Sequence, residues 1–253
     1  DPGGPLRPLA GRLAAAEITV GNFESTLSTA GSPTQGGDSF AASPRVIPGM
    51  RAAGFDLLSL ANNHVGDYGY RALRQTLDRF DSAKIDTVGA GRDLAAARRP
   101  AVIQRDDVRV GFIALDSIGE TPSATRNRAG TNRLNMPPRT GPLNRTQLRR
   151  ITSDIRALNK RVDVVVVLTH WGTQYTHRPE PSQRIAARAF ANAGADLVIG
   201  AGTTTQQHKG DPLFSQWYRG YTYADKNGDG IIQVSEVTVD TAFRSYGYQV
   251  PRD

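Results

Sequence analysis

Apolar positions along this chain alternate between stretches of helical spacing and short continuous blocks, the pattern of helices interleaved with buried strands. Leu6, Leu9 and Leu13 predict a short helix over 6–16, and Glu17-Ile18-Thr19-Val20 reads as a strand running into Gly21-Asn22-Phe23-Glu24. A Ser-, Thr- and Gly-rich loop fills 25–43, after which Pro44 opens a short helix that Gly54 stops. Residues 55–60 form an apolar strand, and 70–83 a helix with Leu73, Leu77 and Phe80 at i, i+4 and i+7. A short strand at 85–88 is followed by strands at 100–104 and 108–116, joined as a hairpin through Arg105-Asp106-Asp107. Residues 117–142 turn to Thr, Arg, Asn, Pro and Gly and predict a long loop or lid. Asn144 caps a helix to about residue 159, with Ile151, Ile155 and Leu158 inward. The most apolar strand, 162–168, delivers Thr169-His170-Trp171-Gly172. A helix over 181–193 and another buried strand over 195–199 follow.

Alternating helices and fully apolar strands predict an α/β fold with a mainly parallel sheet covered on both faces. In such sheets ligands bind at the carboxyl ends of the strands. Three predicted strand ends carry polar groups of one kind: Asn22 and Glu24; Asn62, Asn63 and His64; and His170. Carboxylate, amide oxygen and imidazole together form a ligand set suited to Mn, Fe, Zn or Mg. Taken singly, each has a plainer reading, as a turn residue or a polar cap.

Composition narrows the classes. The 253 residues hold no cysteine, which excludes a disulfide framework and a thiolate zinc site. No apolar run approaches the roughly 20 residues of a membrane span, and the start, Asp1-Pro2-Gly3-Gly4-Pro5, has no signal-peptide pattern. Net charge is +7. The arginines are scattered and not interleaved with aromatics, which reads as a solvated basic surface rather than a nucleic-acid site, one able to attract an anionic polymer or a phosphorylated substrate. No Gly-x-Ser-x-Gly elbow is present. Asp116 and Glu120, with Glu24 or Asp67, are candidates for an acid–base carboxylate pair, and each also reads as a solvated or capping acid.

Gly21-Asn22-Phe23-Glu24, then Ser59 to His64 with Asp67 and Gly69, then His170-Trp171-Gly172 with Tyr175, Pro179 and Gln183, then Gly194-Ala195-Asp196-Leu197-Val198-Ile199-Gly200 occur in that order. Over about 10–207 this resembles the capsule-synthesis family of poly-γ-glutamate proteins (CapA/PgsA type), itself similar to calcineurin-like metallophosphoesterases. The resemblance implies a metallophosphoesterase-like αββα sandwich. It also implies a metal site with Glu24, Asn63, His64 and His170 on its motif positions. Two positions depart from the family pattern. The usual first strand ending in Gly-Asp is not seen, so the sandwich is expected to be truncated at its N-terminal strand. The usual His-Pro-His block is replaced at both histidines, by Gly202 and Thr204.

A second motif is independent. Residues 225–236 match the EF-hand loop at each ligand position: Asp225, Asn227, Asp229, the Ile231 carbonyl, Gln233 and Glu236, with Gly230 at the sharp turn. Flanking residues look β-like, so an isolated Ca²⁺ loop is expected rather than a paired sensor. The expected organisation is therefore a CapA-like domain over 1–210 and a calcium-loop segment over 211–253. The expected function is a metal-dependent hydrolase acting on an anionic or polymeric cell-surface substrate, in the periplasm, at the cell surface or secreted. In this expectation Glu24, Asn63 and His170 hold Mn or Zn, His64 is the general acid or an electrostatic stabiliser, and Asn22, Asp67, Trp171 and Tyr175 contact substrate. The alternatives are a glycoside hydrolase using carboxylates, and a non-catalytic polymer-binding accessory protein.

Overall fold

The structure, a computed structural model, describes residues 6–173 and 179–201, and the strand pair 222–223 and 237–238. In chain order the elements are α1 (Arg7–Ala14), β1 (Val20–Asn22), α2 (Ile47–Ala52), β2 (Leu57–Ser59), α3 (Gly69–Ala83), β3 (Asp86–Val88), β4 (Ala90–Gly91), α4 (Leu94–Arg98), β5 (Ala101–Arg105), β6 (Val108–Asp116), β7 (Gly130–Thr131), α5 (Arg145–Asn159), β8 (Val164–His170), α6 (Pro181–Ala191), β9 (Leu197–Ala201), β10 (Thr222–Tyr223) and β11 (Val237–Thr238). The local signals act as expected. Asn144 accepts a hydrogen bond from the Gln147 backbone N–H at 2.9 Å and starts α5. Gly54 ends α2 at φ +77°, a conformation that disfavours any Cβ.

The main strands form two sheets rather than one, beside the two-stranded pairs β4–β7 and β10–β11. β1, β2 and β3 pair in parallel, and β5-β6-β8-β9 form a second sheet, parallel except for β5, which is the antiparallel hairpin partner of β6. Successive side chains on a strand point to opposite faces, and here both faces are apolar. Leu57, Val88, Ile103, Phe112, Ala114, Val166 and Leu168 make one cluster between the sheets. Their neighbours Ile113, Leu115, Val165 and Val167 pack instead against Ile151 and Ile155 of α5 and Phe190 of α6. Leu58 turns toward Met50 of α2 and Leu73, Leu77 and Phe80 of α3. The layers run helix, sheet, sheet, helix.

Three expectations change. In α1 no residue is buried and Leu9 is 50% exposed; the inward face is Leu6, Ala10 and Leu13, one helical step away. Among the described residues β9 is an edge strand, and its Leu197 and Ile199 are exposed, not buried. Residues 117–142 are no loose lid, since Ile118, Thr121, Thr131, Asn132, Leu134 and Met136 are all buried.

A buried ion pair pins this strap to the end of β6. Asp116, wholly buried, receives the Arg133 guanidinium at 2.9 Å, the Thr131 hydroxyl at 3.1 Å and the Ile118 N–H at 2.8 Å. Burial pushes the Asp116 carboxyl above its ordinary value, against the opposing charges of Arg133 and His170. Asp116 and Arg133 are thus neither a solvated acid nor part of a solvated basic surface. Removing one partner strands a buried charge, so Arg133→Met is expected to destabilise the fold by about 3–5 kcal/mol in urea unfolding. A loss under about 1 kcal/mol contradicts this reading of the strap.

Candidate functional site

The carboxyl ends of β1, β2 and β8 meet at one edge although they belong to two sheets. β1 brings Asn22 and, just after it, Glu24. The turn after β2 brings Asn62, Asn63 and His64, and β8 ends on His170. Asn62 builds the turn. Its amide N–H₂ donates to Asn22 Oδ1 at 3.1 Å and to the Phe23 carbonyl at 2.8 Å. Its Oδ1 accepts the backbone N–H groups of His64 and Val65. Asn62 is fully buried and serves as scaffold for the two residues that follow.

Asn63 and His170 form the junction between the sheets. His170 Nε2 lies 2.9 Å from Asn63 Oδ1 and 3.3 Å from Glu24 Oε1. His170 is 2% exposed, while the Glu24 side chain is 35% exposed and opens the cluster to solvent. Asn22 Nδ2 donates to the other Glu24 oxygen at 2.9 Å. Burial pushes the Glu24 carboxyl up, but the hydrogen bond and charge of His170, the charge of His64 and the Asn22 amide outweigh it and hold it below its ordinary value.

His64 is held on a different side. Its Nδ1 lies 2.8 Å from Asp67 Oδ2, and Phe40 stacks on the ring with centroids 4.2 Å apart. Asp67 also takes the Phe40 N–H at 2.6 Å and the Gln35 side-chain amide. The 25–43 loop therefore wraps the His64–Asp67 pair from above. Burial pulls the imidazole down, yet the hydrogen bond and charge of Asp67 and the charges of Glu24 and Glu120 carry it above its ordinary value. Glu120 lies on the 117–142 strap. It accepts the Asn63 Nδ2–H at 2.7 Å and pairs with Arg139.

Two substrate-contact expectations fail on burial. Asp67 is wholly buried with its oxygens taken by Gln35, Phe40 and His64, so it positions His64 and does not meet a substrate. Trp171 is wholly buried and stacks on Phe190 in the core beneath the second sheet, 6.3 Å between ring centroids. Tyr175 lies outside the described residues, as do Gly202, Thr204 and the calcium ligands Asp225, Asn227, Asp229, Ile231, Gln233 and Glu236. The buried, fully bonded Asp67 and Asp116 also remove two members of the candidate carboxylate pairs. Gln35, Phe40 and Arg139 join the site without a sequence signal, because loops far apart in the chain deliver them.

Carboxylate, imidazole and amide oxygen are donor types that divalent ions accept. Ligands on a common ion with bonds near 2.1 Å sit about 3.0–3.4 Å apart; Glu24 Oε1 lies 3.3 Å from His170 Nε2, within that range, while Asn63 Oδ1 stands at 2.9 Å, a hydrogen-bond length. Both oxygens face the same ring nitrogen. Among the described residues no group of three or more His, Asp or Glu converges in this way; the set is one carboxylate, one imidazole and one amide oxygen.

Against known proteins, the sequence profile described as bacterial capsule synthesis protein PGA_cap matches residues 1–208. The chain is 32% identical over 160 residues to the capsule biosynthesis protein CapA of Bacillus anthracis, covering 63% of this chain and 37% of that protein. It is 27% identical over 249 residues to the PGA biosynthesis protein CapA of Bacillus subtilis, covering 90% and 63%. It is 30% identical over 207 residues to a probable polyglutamine synthesis accessory protein of Mycobacterium tuberculosis, covering 80% and 52%. The chain thus spans less than two thirds of the length of each of these relatives. A putative 5'-nucleotidase from Staphylococcus aureus, solved with alpha-ketoglutarate, aligns with TM-score 0.48 and 15% identity over 79% of this chain and 39% of that one.

The held imidazole carries a pH signature. The stability that protonated His64 contributes is present in full below pH 6.5, its ordinary value, and is lost as pH rises through its raised folded value. In chelator-treated protein, NMR titration is expected to place the His64 midpoint above 6.5, and Asp67→Asn to lower it. A parent midpoint at or below 6.5 contradicts the assignment.

Proposed function

The chain belongs to the bacterial capsule synthesis protein PGA_cap family, and on that premise we propose that it is a metal-dependent hydrolase acting on an anionic cell-surface polymer of the poly-γ-glutamate kind. The observation that carries the reading is the meeting of Asn63 Oδ1 and Glu24 Oε1 on His170 Nε2, at 2.9 and 3.3 Å, on an edge that Glu24 opens to solvent. The helix, sheet, sheet, helix order supports the finer assignment to a metallophosphoesterase-like sandwich. The polymer is suggested by relatives named for PGA and polyglutamine synthesis.

In this reading Glu24, Asn63 and His170 hold one divalent ion, Mn or Zn. Such an ion polarises a substrate oxygen and lowers the pKa of bound water. The protein supplies the rest. His64 is anchored through Nδ1 by Asp67, which leaves Nε2 to hand a proton to the leaving group. The Asp67 hydrogen bond and charge favour the protonated imidazole. Asn22 and Glu24 form the solvent-facing lip. The net charge of +7 draws a polyanion to the surface. No helix among the described residues is long and apolar enough to cross a membrane, and the proposed place of action is the periplasm, the cell surface or the medium.

A non-catalytic, polymer-binding accessory role is the second reading. It is favoured by the closed hydrogen bond between Asn63 and His170 and by the word accessory in one relative's name. The two readings part on one assay. Chelator is expected to abolish polymer hydrolysis, Mn²⁺ or Zn²⁺ to restore it, and His170→Ala to lower kcat/KM by more than about 100-fold. Chelator-insensitive turnover, or full activity in His170→Ala, overturns the hydrolase reading; tight polymer binding with no turnover selects the accessory one.

We also propose that 211–253 is a distinct end of the chain that binds Ca²⁺ through Asp225, Asn227, Asp229, the Ile231 carbonyl, Gln233 and Glu236. The support is the ligand pattern in the sequence and the antiparallel pairing of β10 with β11 on either side of it, Thr222 with Thr238 and Tyr223 with Val237. Calorimetry is expected to show Ca²⁺ binding that Glu236→Gln weakens; no heat, and no rise in melting temperature with Ca²⁺, rejects the ion.

A further inference from the structure

We propose that Glu120 is a positioning residue for the Asn63 side chain, fixing which end of that amide faces the junction of Glu24 and His170. The inference rests on the metal reading above and extends it to a residue on a different loop. Three observations on the strap carry it.

The first is chemical sense. A carboxylate accepts hydrogen bonds and donates none, whereas an amide has a donating and an accepting end. Glu120 Oε2 lies 2.7 Å from Asn63 Nδ2, so the nitrogen end is turned to Glu120. The oxygen end is thereby turned to His170 Nε2, at 2.9 Å. Of the amide's two partners, His170 Nε2 donates or accepts with its tautomer, whereas Glu120 can only accept and so holds the N–H₂ end outward whichever tautomer is present; N–H₂ is no metal ligand.

The second is backbone conformation. Glu120 has φ +63°, in the left-handed region that a residue with a Cβ seldom occupies, directly after Gly119 at φ +102°. Strained non-glycine residues persist where the surroundings over-determine them. Glu120 is exposed, yet residues 111–119 before it and Thr121 after it are buried. The chain bends out at one position and returns, carrying the carboxylate over Asn63.

The third is the anchoring on both sides. The Ser117 N–H donates to the His170 carbonyl at 2.8 Å, and Asp116 Oδ1 accepts the Ile118 N–H. Beyond Glu120, the Thr121 hydroxyl accepts the Gly66 N–H at 2.9 Å, and Arg133 donates to the Thr121 carbonyl. Arg139 pairs with the second Glu120 oxygen. The segment 117–121 is thus tied to the His170 strand at one end and to the turn after Asn63 at the other, with Glu120 between them.

Groups that orient metal ligands typically change affinity by roughly 10–100-fold when replaced. Mn²⁺ titration of the full chain by calorimetry is expected to show Kd raised by that factor in Glu120→Gln, whose own N–H₂ lets the Asn63 amide turn over. Glu120→Gly relieves the left-handed strain, so it is expected to melt no lower than the parent while binding Mn²⁺ equally poorly; a purely structural role predicts the opposite signs. The Asn63 side-chain amide resonances, read by NMR in chelator-treated protein, provide an arm that needs no metal, and they are expected to shift in both variants. Parent-like Mn²⁺ affinity with unmoved amide resonances overturns the proposal. A parent that binds no Mn²⁺ fails the metal reading alone, and the amide resonances then decide the positioning role.

Discussion

The hydrogen bond between Asn63 and His170 is the contact on which the rest of this architecture depends. The two sheets share no backbone ladder and are joined face to face by apolar side chains such as Leu57, Val88, Phe112 and Val166. At their carboxyl edge the apolar layer gives out and polar groups begin, still almost without solvent. A buried polar group without a partner is costly, so the edge is stable only if the two sheets answer each other's donors and acceptors. Asn63 comes from one sheet and His170 from the other. Around them Asn62 holds the turn, Glu24 supplies the open side and Glu120 the roof.

That constraint explains why two loops with little hydrophobic content are ordered over the edge. The 25–43 loop commits Gln35 and Phe40 to Asp67 and His64. The 117–142 strap commits Glu120 to Asn63 and buries the Asp116–Arg133 pair behind it. Such a buried pair is weak evidence for stability in itself, because desolvation offsets its attraction. Its evident service here is placement: it fixes the strap from which Glu120 reaches the site. His64 and Glu24 then sit in opposed environments, the one raised and the other lowered in proton affinity.

Much of this was legible in the chain. Apolar runs located the strands of both sheets, Asn144 and Gly54 marked helix ends, and polar residues at three strand ends located Glu24, Asn63, His64 and His170. Periodicity does not say how strands divide into sheets, so a two-sheet arrangement came only from the family resemblance. Burial misplaced two residues for a definable reason. Trp171 directly follows His170, and successive strand positions point to opposite faces; Asp67 lies three residues after His64, where the turn brings its carboxylate back onto the His64 ring. Trp171 went to the core and Asp67 behind His64. Phe40, Arg139 and the role of Glu120 were hidden because they depend on the path of long loops, and composition does not encode that path.

The central proposal is that Glu24, Asn63 and His170 hold one divalent ion with a single imidazole nitrogen. Electron spin-echo modulation of the Mn²⁺-loaded protein reports directly on nitrogen bound to the metal. The account predicts modulation from one imidazole nitrogen, present in the parent and absent in His170→Ala. Mn²⁺ bound without nitrogen modulation, or modulation that persists in His170→Ala, contradicts it.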